Sequence, residues 1–251
     1  MSHVYSSDFY DYINAGSTAS ARCVVPLMRS VMTIDSVLDV GAGVGAWAAQ
    51  WLAGGAREVT AVDGVYAEDS PLLVPARHFV AHDLTQPMDL DRKFDLVQSL
   101  EVAEHIPEDK ADVLVESLVR HGDVVMFSAA VPGQGGEFHI NEQPLEYWRQ
   151  KFASHGYAPF DWLRPQMADQ DDIEPWYRYN TIIYANETGQ AKLAAQVLAA
   201  CIPDDRAVPH AGSAAWRMRR AMVSAMPTWM VTRIAATLAK QKARAHAKAA
   251  A

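Results

Sequence analysis

A glycine-rich turn between two short apolar segments is the feature that most constrains the fold of this 251-residue chain. The turn, residues 41–45, contains three glycines, follows a predicted strand at 36–40 and overlaps the start of a predicted helix at 44–53. A second predicted strand, 58–62, comes after that helix and is followed by Asp63. Strand, glycine turn, helix, strand and terminal acid together indicate the first βαβ unit of a nucleotide-binding sheet.

Asp39, inside the first predicted strand, discriminates between the cofactors that such a turn can hold. The spacing Gly41-x-Gly43-x-x-Ala46 also satisfies a loose dinucleotide fingerprint, so the spacing by itself leaves the ligand open. A dinucleotide places a pyrophosphate over the turn, where a carboxylate would repel it. S-adenosylmethionine (SAM) places an α-ammonium there, which a carboxylate attracts. The charge of Asp39 therefore favours SAM as the cofactor.

Charge is unevenly distributed along the chain. Residues 206–251 contain nine Lys and Arg side chains and no acidic one, whereas the first 205 residues carry thirteen basic and thirty acidic side chains. An acidic domain is a poor match for a nucleic-acid substrate, so we expect no nucleic-acid partner. A chain of this length forms one large domain, or one domain with appendages, and can bury a sizeable core.

The N-terminus and the cysteines bear on the compartment in which the protein works. Residues 1–8 are polar and acidic, without the basic and apolar regions of a signal peptide. No apolar stretch is long enough to span a bilayer. Cys23 and Cys201 are far apart and lack metal-ligand spacing, so we expect two reduced thiols. These features predict a cytoplasmic protein.

Strands and helices alternate along most of the chain, which predicts a doubly wound α/β sheet. The predicted strands cover seven segments: 36–40, 58–62, 78–81, 94–100, 123–129, 157–164 and 177–185. The predicted helices within this region are 44–53, 107–120 and 142–155. Because no full helix separates the last two strands, we expect a Rossmann-like, seven-stranded, mostly parallel sheet with an antiparallel edge.

Three segments follow from this pattern. Residues 1–34 form an aromatic helical segment that we expect to act as a lid, 35–187 form the cofactor-binding domain, and 188–251 form a helical, basic extension. In the extension, Trp216–Arg220 and 229–248 interleave basic and apolar side chains at roughly helical spacing. Such a helix docks on its own acidic domain or a sister subunit, lies on an anionic membrane, or frays. The opposite charges favour docking, and salt weakens it.

Polar residues follow the second and third predicted strands. Asp63 is placed to accept both ribose hydroxyls of an adenosine, and in the alternative interpretation it caps a turn before Gly64. Asp83 and Leu84 follow the third strand, where the carboxylate would meet the adenine amino group and the leucine the ring. Since doubly wound sheets bind ligands at the carboxyl ends of their strands, these residues are expected to line one crevice.

A second polar group follows the fourth predicted strand, where Glu101, Glu104 and His105 precede Pro107. Their position beside the cofactor crevice predicts that at least one carboxylate or imidazole lines the methyl-transfer site. In the alternative interpretation, Glu104 and His105 only cap the helix that begins at Pro107.

The polar loop after the fifth predicted strand, Gln134–Gln143, opens at the same edge. His139 is the candidate general base, because its unperturbed pKa lies near neutrality. A metal role for His139 with nearby carboxylates is an alternative. No closed metal-ligand spacing occurs, however, so we predict a loop that contacts the substrate and no metal.

The ordered set of motifs resembles the class I SAM-dependent methyltransferases over about residues 17–186. A narrower resemblance is to a bacterial group of small-molecule methyltransferases that is often associated with biosynthetic gene sets. Its marks are Ser20-Ala21, Gly43-x-Gly45-x-Trp47, Glu101–His105, Gln134–Gly136, His139-x-Asn141-Glu142-Gln143 and Trp176-Tyr177-x-x-Asn180. The chain departs from that group at Gly133 and Pro144, where an aromatic residue is usual, and this leaves the acceptor unassigned.

The resemblance implies methyl transfer from SAM to an oxygen or nitrogen nucleophile of a small acceptor, such as a natural product, a sugar or an amino-acid-like molecule. For cofactor binding it implies Asp39, Gly41, Ala42, Gly43, Trp47, Asp63, Gly64, Asp83, Leu84 and Glu101. For catalysis it implies His139, His105 and Glu104, and for acceptor contact Tyr10, Gln134, Asn141 and Trp176. A homodimer is a further expectation.

Two alternatives to methyl transfer stay open at this level. The first is a NAD-dependent oxidoreductase, which Asp39 and the lack of a second catalytic domain disfavour. The second is a non-catalytic SAM-binding protein, which would keep Asp39 and Asp63 but tolerate the loss of His105 and His139.

Overall fold

The computed structural model of the chain describes residues 7–67, 71–227, 229–235, 237–238 and 241, without the side chains of 7–13 and 66. Its strands are β1 (Ser36–Val40), β2 (Glu58–Asp63), β3 (Phe79–Ala81), β4 (Leu96–Leu100), β5 (Val124–Ser128), β6 (Ala158–Phe160) and β7 (Ile182–Ala185). The α-helices of the described residues are α1 (Ser7–Arg29), α2 (Ala46–Ala53), α3 (Ala111–His121), α4 (Leu145–Ser154), α5 (Leu163–Met167), α6 (Pro175–Asn180), α7 (Glu187–Gln190), α8 (Ala195–Leu198) and α9 (Ala214–Ser224).

The strands form one seven-stranded sheet in the order β3-β2-β1-β4-β5-β7-β6. β1 pairs in parallel with β2 and β4, β3 pairs in parallel with β2, and β5 pairs in parallel with β4. β7 is antiparallel to both β5 and β6. The predicted mostly parallel α/β sheet with an antiparallel edge is therefore confirmed. The carboxyl ends of β1, β2, β4 and β5 meet at one edge, where doubly wound sheets bind their ligands.

Apolar side chains bury the sheet in two clusters. The first joins α1 and α2 to the strands through Met28 and Trp51, and the second joins α3 and α4 through Leu118 and Trp148. Trp51 also donates from Nε1 to Oε1 of Gln98 at 2.7 Å, which satisfies a polar group inside the sheet. Burial on both faces explains why these strands occur as continuous apolar runs in the sequence.

The sixth strand is shorter than predicted. It ends at Phe160 rather than at residue 164, because the helix α5 begins at Leu163. Arg164 in that helix is buried and donates from Nε and Nη2 to the two carboxylate oxygens of Asp161, at 2.7 and 2.6 Å. This bidentate pair stabilises a helical turn where the sequence pattern predicted a continuing strand.

The strand prediction for residues 177–181 is wrong. Residues 175–180 form α6, and β7 begins only at Ile182. Pro175 lies in the first turn of α6, a position that suits its fixed φ and missing N–H. The predicted helices 107–120 and 142–155 likewise begin later, at Ala111 and Leu145.

α1 passes through the segment predicted to form a lid. Its second half packs against α2, with Val24 and Met28 buried in the core. The side chain of Tyr10 lies outside the described residues, as do residues 1–6. The lid role of residues 1–34 stays a prediction.

The basic extension docks on its own domain in the part that the structure describes. In α9, Arg219 donates from Nη1 to the carbonyl of Gln134 at 2.7 Å, and Arg220 donates from Nη2 to the carbonyl of Pro132 at 2.8 Å. Residues 242–251 lie outside the described residues. Among the helices described, none combines the length and the apolar character that crossing a membrane requires.

Candidate active site

The glycine turn between β1 and α2 has a backbone that only glycine adopts easily. The φ angle is +79° at Gly41, +55° at Gly43 and +93° at Gly45, in the left-handed region that strains other side chains. A Cβ atom on Gly41 would lie 2.2 Å from Val102, but one on Gly43 would meet nothing within 4 Å. The turn is therefore packed at Gly41 and open at Gly43, where a ligand has room to approach the backbone.

Asp63, the last residue of β2, holds this turn in place. Its Oδ2 accepts a hydrogen bond from the N–H of Gly43 at 2.6 Å, and its Oδ1 accepts from the N–H of Gly64 at 2.7 Å. The N–H of Ala42 donates to the carbonyl of Val62 at 3.1 Å, which ties the turn to β2 a second time. Asp63 thus caps the turn before Gly64, as the alternative interpretation of the sequence expected. Its contact with the ribose stays a prediction.

Asp39 is a buried carboxylate with spare hydrogen-bonding capacity. It is 3% exposed, and its Oδ2 has no partner among the described residues. Burial, together with the nearby charge of Asp63, raises the pKa of Asp39 to about 7. A buried carboxylate that lacks a partner is stabilised by a cation at hydrogen-bond distance. Asp39 therefore fits the α-ammonium of SAM.

The other residues predicted for the cofactor take varied positions. Oδ1 of Asp83 accepts hydrogen bonds from the hydroxyl and the N–H of Thr85, which lower the pKa of that carboxyl. Leu84 is half-buried against the second apolar cluster. Trp47 is buried, with its ring edge-on to Tyr177 at a centroid distance of 5.1 Å. Their contacts with a cofactor stay predictions.

Glu101, directly after β4, is the centre of a buried polar network. Its φ of +57° is unusual for a residue with a side chain, which marks a strained position. Oε2 accepts from Nε2 of Gln134 at 2.5 Å, and Oε1 accepts from Nδ2 of Asn180 at 3.3 Å. Nδ2 of Asn180 also donates to Oε1 of Gln134 at 2.8 Å. Asn180 was not among the predicted site residues, although it lies in the motif Trp176-Tyr177-x-x-Asn180.

The three residues predicted for catalysis come together as one cluster, which we call the Glu104–His105–His139 cluster. One ligand-type atom of each side chain lies within 4.8 Å of those of the other two. Nε2 of His139 is 3.9 Å from Oε1 of Glu104, and the two imidazole rings meet edge-on with their centroids 5.0 Å apart. The capping alternative does not require this convergence, so the cluster favours a chemical role.

The environment of the cluster disfavours charge on two of its members. Glu104 is 1% exposed, and burial together with the charge of Glu101 raises its pKa well above the usual range. Burial and the neighbouring His139 lower the pKa of His105 to about 4, so this imidazole is neutral at pH 7. The cluster therefore places a neutral imidazole beside the carboxyl group of Glu104. A positive charge nearby would stabilise the ionised form of that carboxyl group.

Glu142 organises the loop that carries His139. Its Oε1 accepts from Nδ1 of His139 at 2.8 Å and from the N–H of Gly135 at 2.7 Å, and its Oε2 accepts from the N–H of Gly133 at 2.9 Å. Burial favours the protonated form of this carboxyl, but these hydrogen bonds outweigh burial and lower its pKa. Glu142 was not a predicted site residue, and its place three residues after His139 was the available signal.

The same loop is fastened to the turn that carries Glu104. The carbonyl of Glu104 accepts from the N–H groups of Ile140 and Asn141, at 2.9 and 3.0 Å. Asn141 is buried, and its Oδ1 accepts from Nε2 of Gln143 at 2.9 Å. Backbone pairing thus brings His139 next to Glu104, although 34 residues separate them in the chain. Gln134 and Asn141, both predicted to contact the acceptor, are buried. Gln134 lies in the network around Glu101, and Asn141 is bonded to the carbonyl of Glu104.

A cavity of about 340 Å³ opens beside His139. One wall comes from the loop after β5 and the other from the C-terminal extension. Its lining consists of Pro132, Gly133, Gly135, Gly136, His139, Ile140, Glu142, Val223, Ser224, Met226 and Val231. The contribution of the extension was not predicted. The cavity therefore joins a polar wall with His139 and Glu142 to an apolar wall with Val223, Met226 and Val231.

Two predicted acceptor contacts are less closely tied to this site. Trp176 is half-buried in α6, with its ring centroid 6.2 Å from that of Tyr177. Tyr10 has no described side chain. Both roles stay predictions.

Residues 15–161 match a family model described as a methyltransferase domain. This match covers more than half of the chain and includes the glycine turn, Asp63, Glu101 and the Glu104–His105–His139 cluster. The chain belongs to this family. Its cofactor is accordingly SAM, and the protein is a SAM-dependent methyltransferase, as the resemblance implied.

Solved structures that resemble this one are distant in sequence. The sugar N-methyltransferase KedS8 from Streptoalloteichus is 17% identical, with a TM-score of 0.51 over 74% of this chain and 97% of that protein. A protein from Nostoc punctiforme described as a putative O-methyltransferase is 14% identical, with a TM-score of 0.50 over 66% of this chain and 55% of that protein. DesVI from Streptomyces venezuelae is 20% identical, with a TM-score of 0.43 over 54% of this chain and 62% of that protein. Comparison with curated proteins gives no match.

Proposed function

We propose that the protein transfers the methyl group of SAM to an oxygen or nitrogen atom of a small molecule held in the cavity beside His139. The observation that carries this proposal is the convergence of Glu104, His105 and His139 at the edge of the sheet that also holds the glycine turn. Family membership favours methyl transfer over the NAD-dependent oxidoreductase and the non-catalytic binding protein.

Residues at the ends of β1, β2 and β3 are proposed to bind the cofactor. Asp39 pairs with its α-ammonium, Asp63 accepts the ribose hydroxyls, and Asp83 with Leu84 meets the adenine. SAM, when bound, supplies an electrophilic methyl group on a sulfonium. The contribution of the protein is to hold the nucleophile in line with that group, and alignment of this kind lowers a barrier by roughly 7–11 kcal/mol.

His139 is proposed to take the proton of the acceptor. Its Nδ1 faces the carboxylate of Glu142, which is ionised at neutral pH, so Nδ1 carries the hydrogen and Nε2 carries the lone pair. This tautomer leaves a base directed toward Glu104. A positioned general base typically contributes about 10²–10⁴-fold in rate.

The two walls of the cavity indicate what kind of acceptor it takes. The polar wall suits a hydroxyl or amine at the reacting end, and the apolar wall of Val223, Met226 and Val231 suits a hydrocarbon or ring face. At about 340 Å³, the cavity falls at the lower end of the range for small-molecule sites, which is about 300–1,000 Å³. A sugar or a natural product with one apolar face fits both properties.

A substitution of His139 tests the proposal. The assay follows formation of S-adenosylhomocysteine across a panel of small hydroxyl and amine compounds that includes sugars, and calorimetry measures SAM affinity. His139→Ala is expected to lower turnover by at least about 100-fold because the base is lost, while the Kd for SAM changes less than about twofold. His155→Ala, at an exposed residue beyond the end of α4, is the matched control.

Two results would contradict the proposal. One is wild-type turnover in His139→Ala on a compound that the wild-type enzyme methylates. The other is a protein that binds SAM normally but methylates no compound of the panel above the background without acceptor.

A further inference from the structure

The Glu104–His105–His139 cluster has the donor set of a metal site. We propose that it binds one divalent cation of the zinc class, and that this ion holds an acceptor hydroxyl for methyl transfer. The binding part stands by itself, whereas the role of the ion rests on the proposed function. One carboxylate and two imidazoles suit Zn²⁺ and its transition-metal neighbours, whereas Mg²⁺ and Ca²⁺ prefer sites built from oxygen atoms.

Both imidazole rings make a hydrogen bond through Nδ1, which leaves Nε2 as the nitrogen available to a metal ion. Nδ1 of His139 faces Oε1 of Glu142 at 2.8 Å, and Nδ1 of His105 faces the carbonyl of Phe138 at 3.3 Å. A carbonyl only accepts, and an ionised carboxylate only accepts, so both Nδ1 atoms carry the hydrogen. Both Nε2 atoms therefore keep their lone pairs. A histidine that ligates a metal almost always donates its other N–H in this way.

The spacing of the ligand atoms is close to that of an occupied site. Three atoms placed 4.8 Å apart, the upper limit in this cluster, all lie about 2.8 Å from a common point, against the 2.0–2.1 Å of a Zn–N or Zn–O bond. A contraction of about 0.7 Å per ligand would close the shell. Nε2 of His139 and Oε1 of Glu104 are already 3.9 Å apart, and ligands of a tetrahedral zinc lie about 3.3 Å apart.

Glu104 supplies the independent sign that a cation belongs here. It is 1% exposed, and its Oε2 has no hydrogen-bond partner among the described residues. A buried carboxylate in that condition is costly unless a cation or a donor compensates it. The buried Glu101 lies close enough to add repulsion rather than relief. A divalent ion between Glu104 and the two Nε2 atoms removes this cost.

Three protein ligands leave one position of a tetrahedral ion open, as in catalytic zinc sites. An acceptor hydroxyl that fills this position ionises more readily, because the ion stabilises the alkoxide. In this route Nε2 of His139 is bound to the ion, so the ion takes the place of His139 in removing the proton, which passes to solvent. The oxygen lone pair then forms a bond with the methyl carbon, and the carbon–sulfur bond of the sulfonium breaks to leave the neutral thioether. This route favours oxygen over nitrogen as the methylated atom.

Metal binding can be measured without any acceptor. Full-length protein is treated with a chelator, dialysed, and titrated with zinc chloride by calorimetry in the absence of SAM. We expect one ion per chain. Glu104→Gln and His139→Ala are each expected to weaken zinc binding more than about 10-fold, because each removes a ligand. His155→Ala is expected to bind zinc like the wild type, and magnesium chloride is expected to give no binding at this site.

Cobalt provides a second readout on the unmodified protein. Co²⁺ bound by the cluster is expected to give visible absorption unlike that of the hydrated ion, and zinc is expected to displace it. A spectrum identical to that of hydrated Co²⁺ would overturn the proposal even if the variants failed to fold. Zinc affinity that is equal in wild type, Glu104→Gln and His139→Ala would overturn it too, since binding would then lie elsewhere.

The same measurements keep this proposal separate from the proposed function. Chelated protein that binds no zinc but still forms S-adenosylhomocysteine with a panel compound would refute the metal site and leave methyl transfer intact. Protein that binds one zinc ion per chain but methylates no compound of the panel would refute the proposed function. The proposed metal site would then stand.

Discussion

Single carboxylates control the geometry of this site, and Glu142 is the clearest case. One side chain accepts hydrogen bonds from two backbone N–H groups and from His139. These contacts fix the tautomer of His139 and the path of the loop that brings it to Glu104. The type of residue was visible in the motif after His139, but its partners were not, because they depend on how the loop turns at Gly133 and Gly135.

At the same scale, the affinity for SAM is expected to depend on pH through Asp39. The pKa of this carboxyl is raised to about 7, so it is largely neutral at pH 6, and binding of an ammonium requires it to lose its proton. The Kd for SAM should therefore rise as the pH falls from 7 to 5.5, by up to about tenfold per unit. Calorimetry of the wild type against Asp39→Asn checks this.

Asp39→Asn should bind SAM weakly, with a Kd that does not vary with pH over that range. Equal pH dependence in the wild type and the variant would show that another group titrates.

At the scale of the secondary-structure elements, Asp123, the residue before β5, connects segments at the amino-terminal end of that strand. Its carboxylate accepts from Lys93 at 2.7 Å, from Lys192 at 2.8 Å and from Nδ2 of Asn186 at 3.1 Å. These contacts join β5 to the residues before β4 and to the segment after β7. Burial would raise the pKa of Asp123, but the hydrogen bonds from Lys192, Lys93 and Asn186 outweigh burial and hold the pKa far below its usual range.

Replacement of Asp123 by Asn is expected to lower the free energy of unfolding by about 1–3 kcal/mol at pH 7, because a nearly buried acceptor loses charge-assisted hydrogen bonds. Because Lys93 and Lys192 are exposed, the loss of stability should lie at the lower end of this range. Because the folded pKa is depressed, this contribution is complete above the unfolded pKa of about 3.9 and disappears as the pH falls through the folded pKa.

Urea denaturation at several pH values measures this effect. The difference between wild type and Asp123→Asn should be constant from pH 7 to about 5 and shrink below about pH 4. Asp112→Asn, which removes an exposed partner of Lys151, is the matched control and should change stability by less than about 1 kcal/mol. A difference that persists unchanged at pH 2 would show that packing, not charge, explains the effect.

On the scale of the whole molecule, the cavity proposed to hold the acceptor lies between the methyltransferase domain and the C-terminal extension. The family match ends at residue 161, yet Val223, Met226 and Val231 form a wall of the cavity. Arg219 and Arg220 fasten α9 to the loop after β5 through two carbonyl groups. If the proposed function holds, the extension is therefore placed to contact the acceptor through this wall.

The double variant Arg219→Ala/Arg220→Ala is expected to raise the KM for the acceptor several-fold while leaving the Kd for SAM unchanged, because only one wall of the cavity is loosened. Each lost side chain removes a charge-assisted hydrogen bond, worth about 1.5–3 kcal/mol when it is well shielded from water. Steady-state kinetics and calorimetry measure the two constants. Arg217→Ala is the control, since within the described part of the chain the guanidinium of Arg217 bonds to the carbonyl of Gly212, in its own segment.

Deletion of residues 212–251 distinguishes docking from membrane contact. Unchanged acceptor kinetics after this deletion, together with lost binding to phosphatidylglycerol vesicles at low salt, would favour the membrane alternative. A raised KM without any vesicle binding by the full chain would favour docking.

The sequence predicted some parts of the site better than others. Asp39, Asp63 and the three glycines were assigned because a βαβ unit fixes the position of its turn through local geometry. The structure brings together Glu104, His105 and His139, the predicted catalytic set, since strands β4 and β5 end at one edge, and their role in catalysis stays a prediction. The convergence of their ligand-type atoms within 4.8 Å was not predicted, because the meeting of Glu104 and His139 depends on the backbone bonds from Ile140 and Asn141 to the carbonyl of Glu104.

The sequence by itself determined the class of the sheet, the alternation of most of its strands and helices along the chain, and the cofactor, because periodicity, glycine placement and the charge of Asp39 act over short stretches of chain. Only the tertiary structure decided that residues 177–180 are helical, that Asn180 reaches Glu101, and that the extension forms a wall of the cavity. These features depend on contacts between segments up to about ninety residues apart, such as Arg220 with Pro132, which no local pattern encodes.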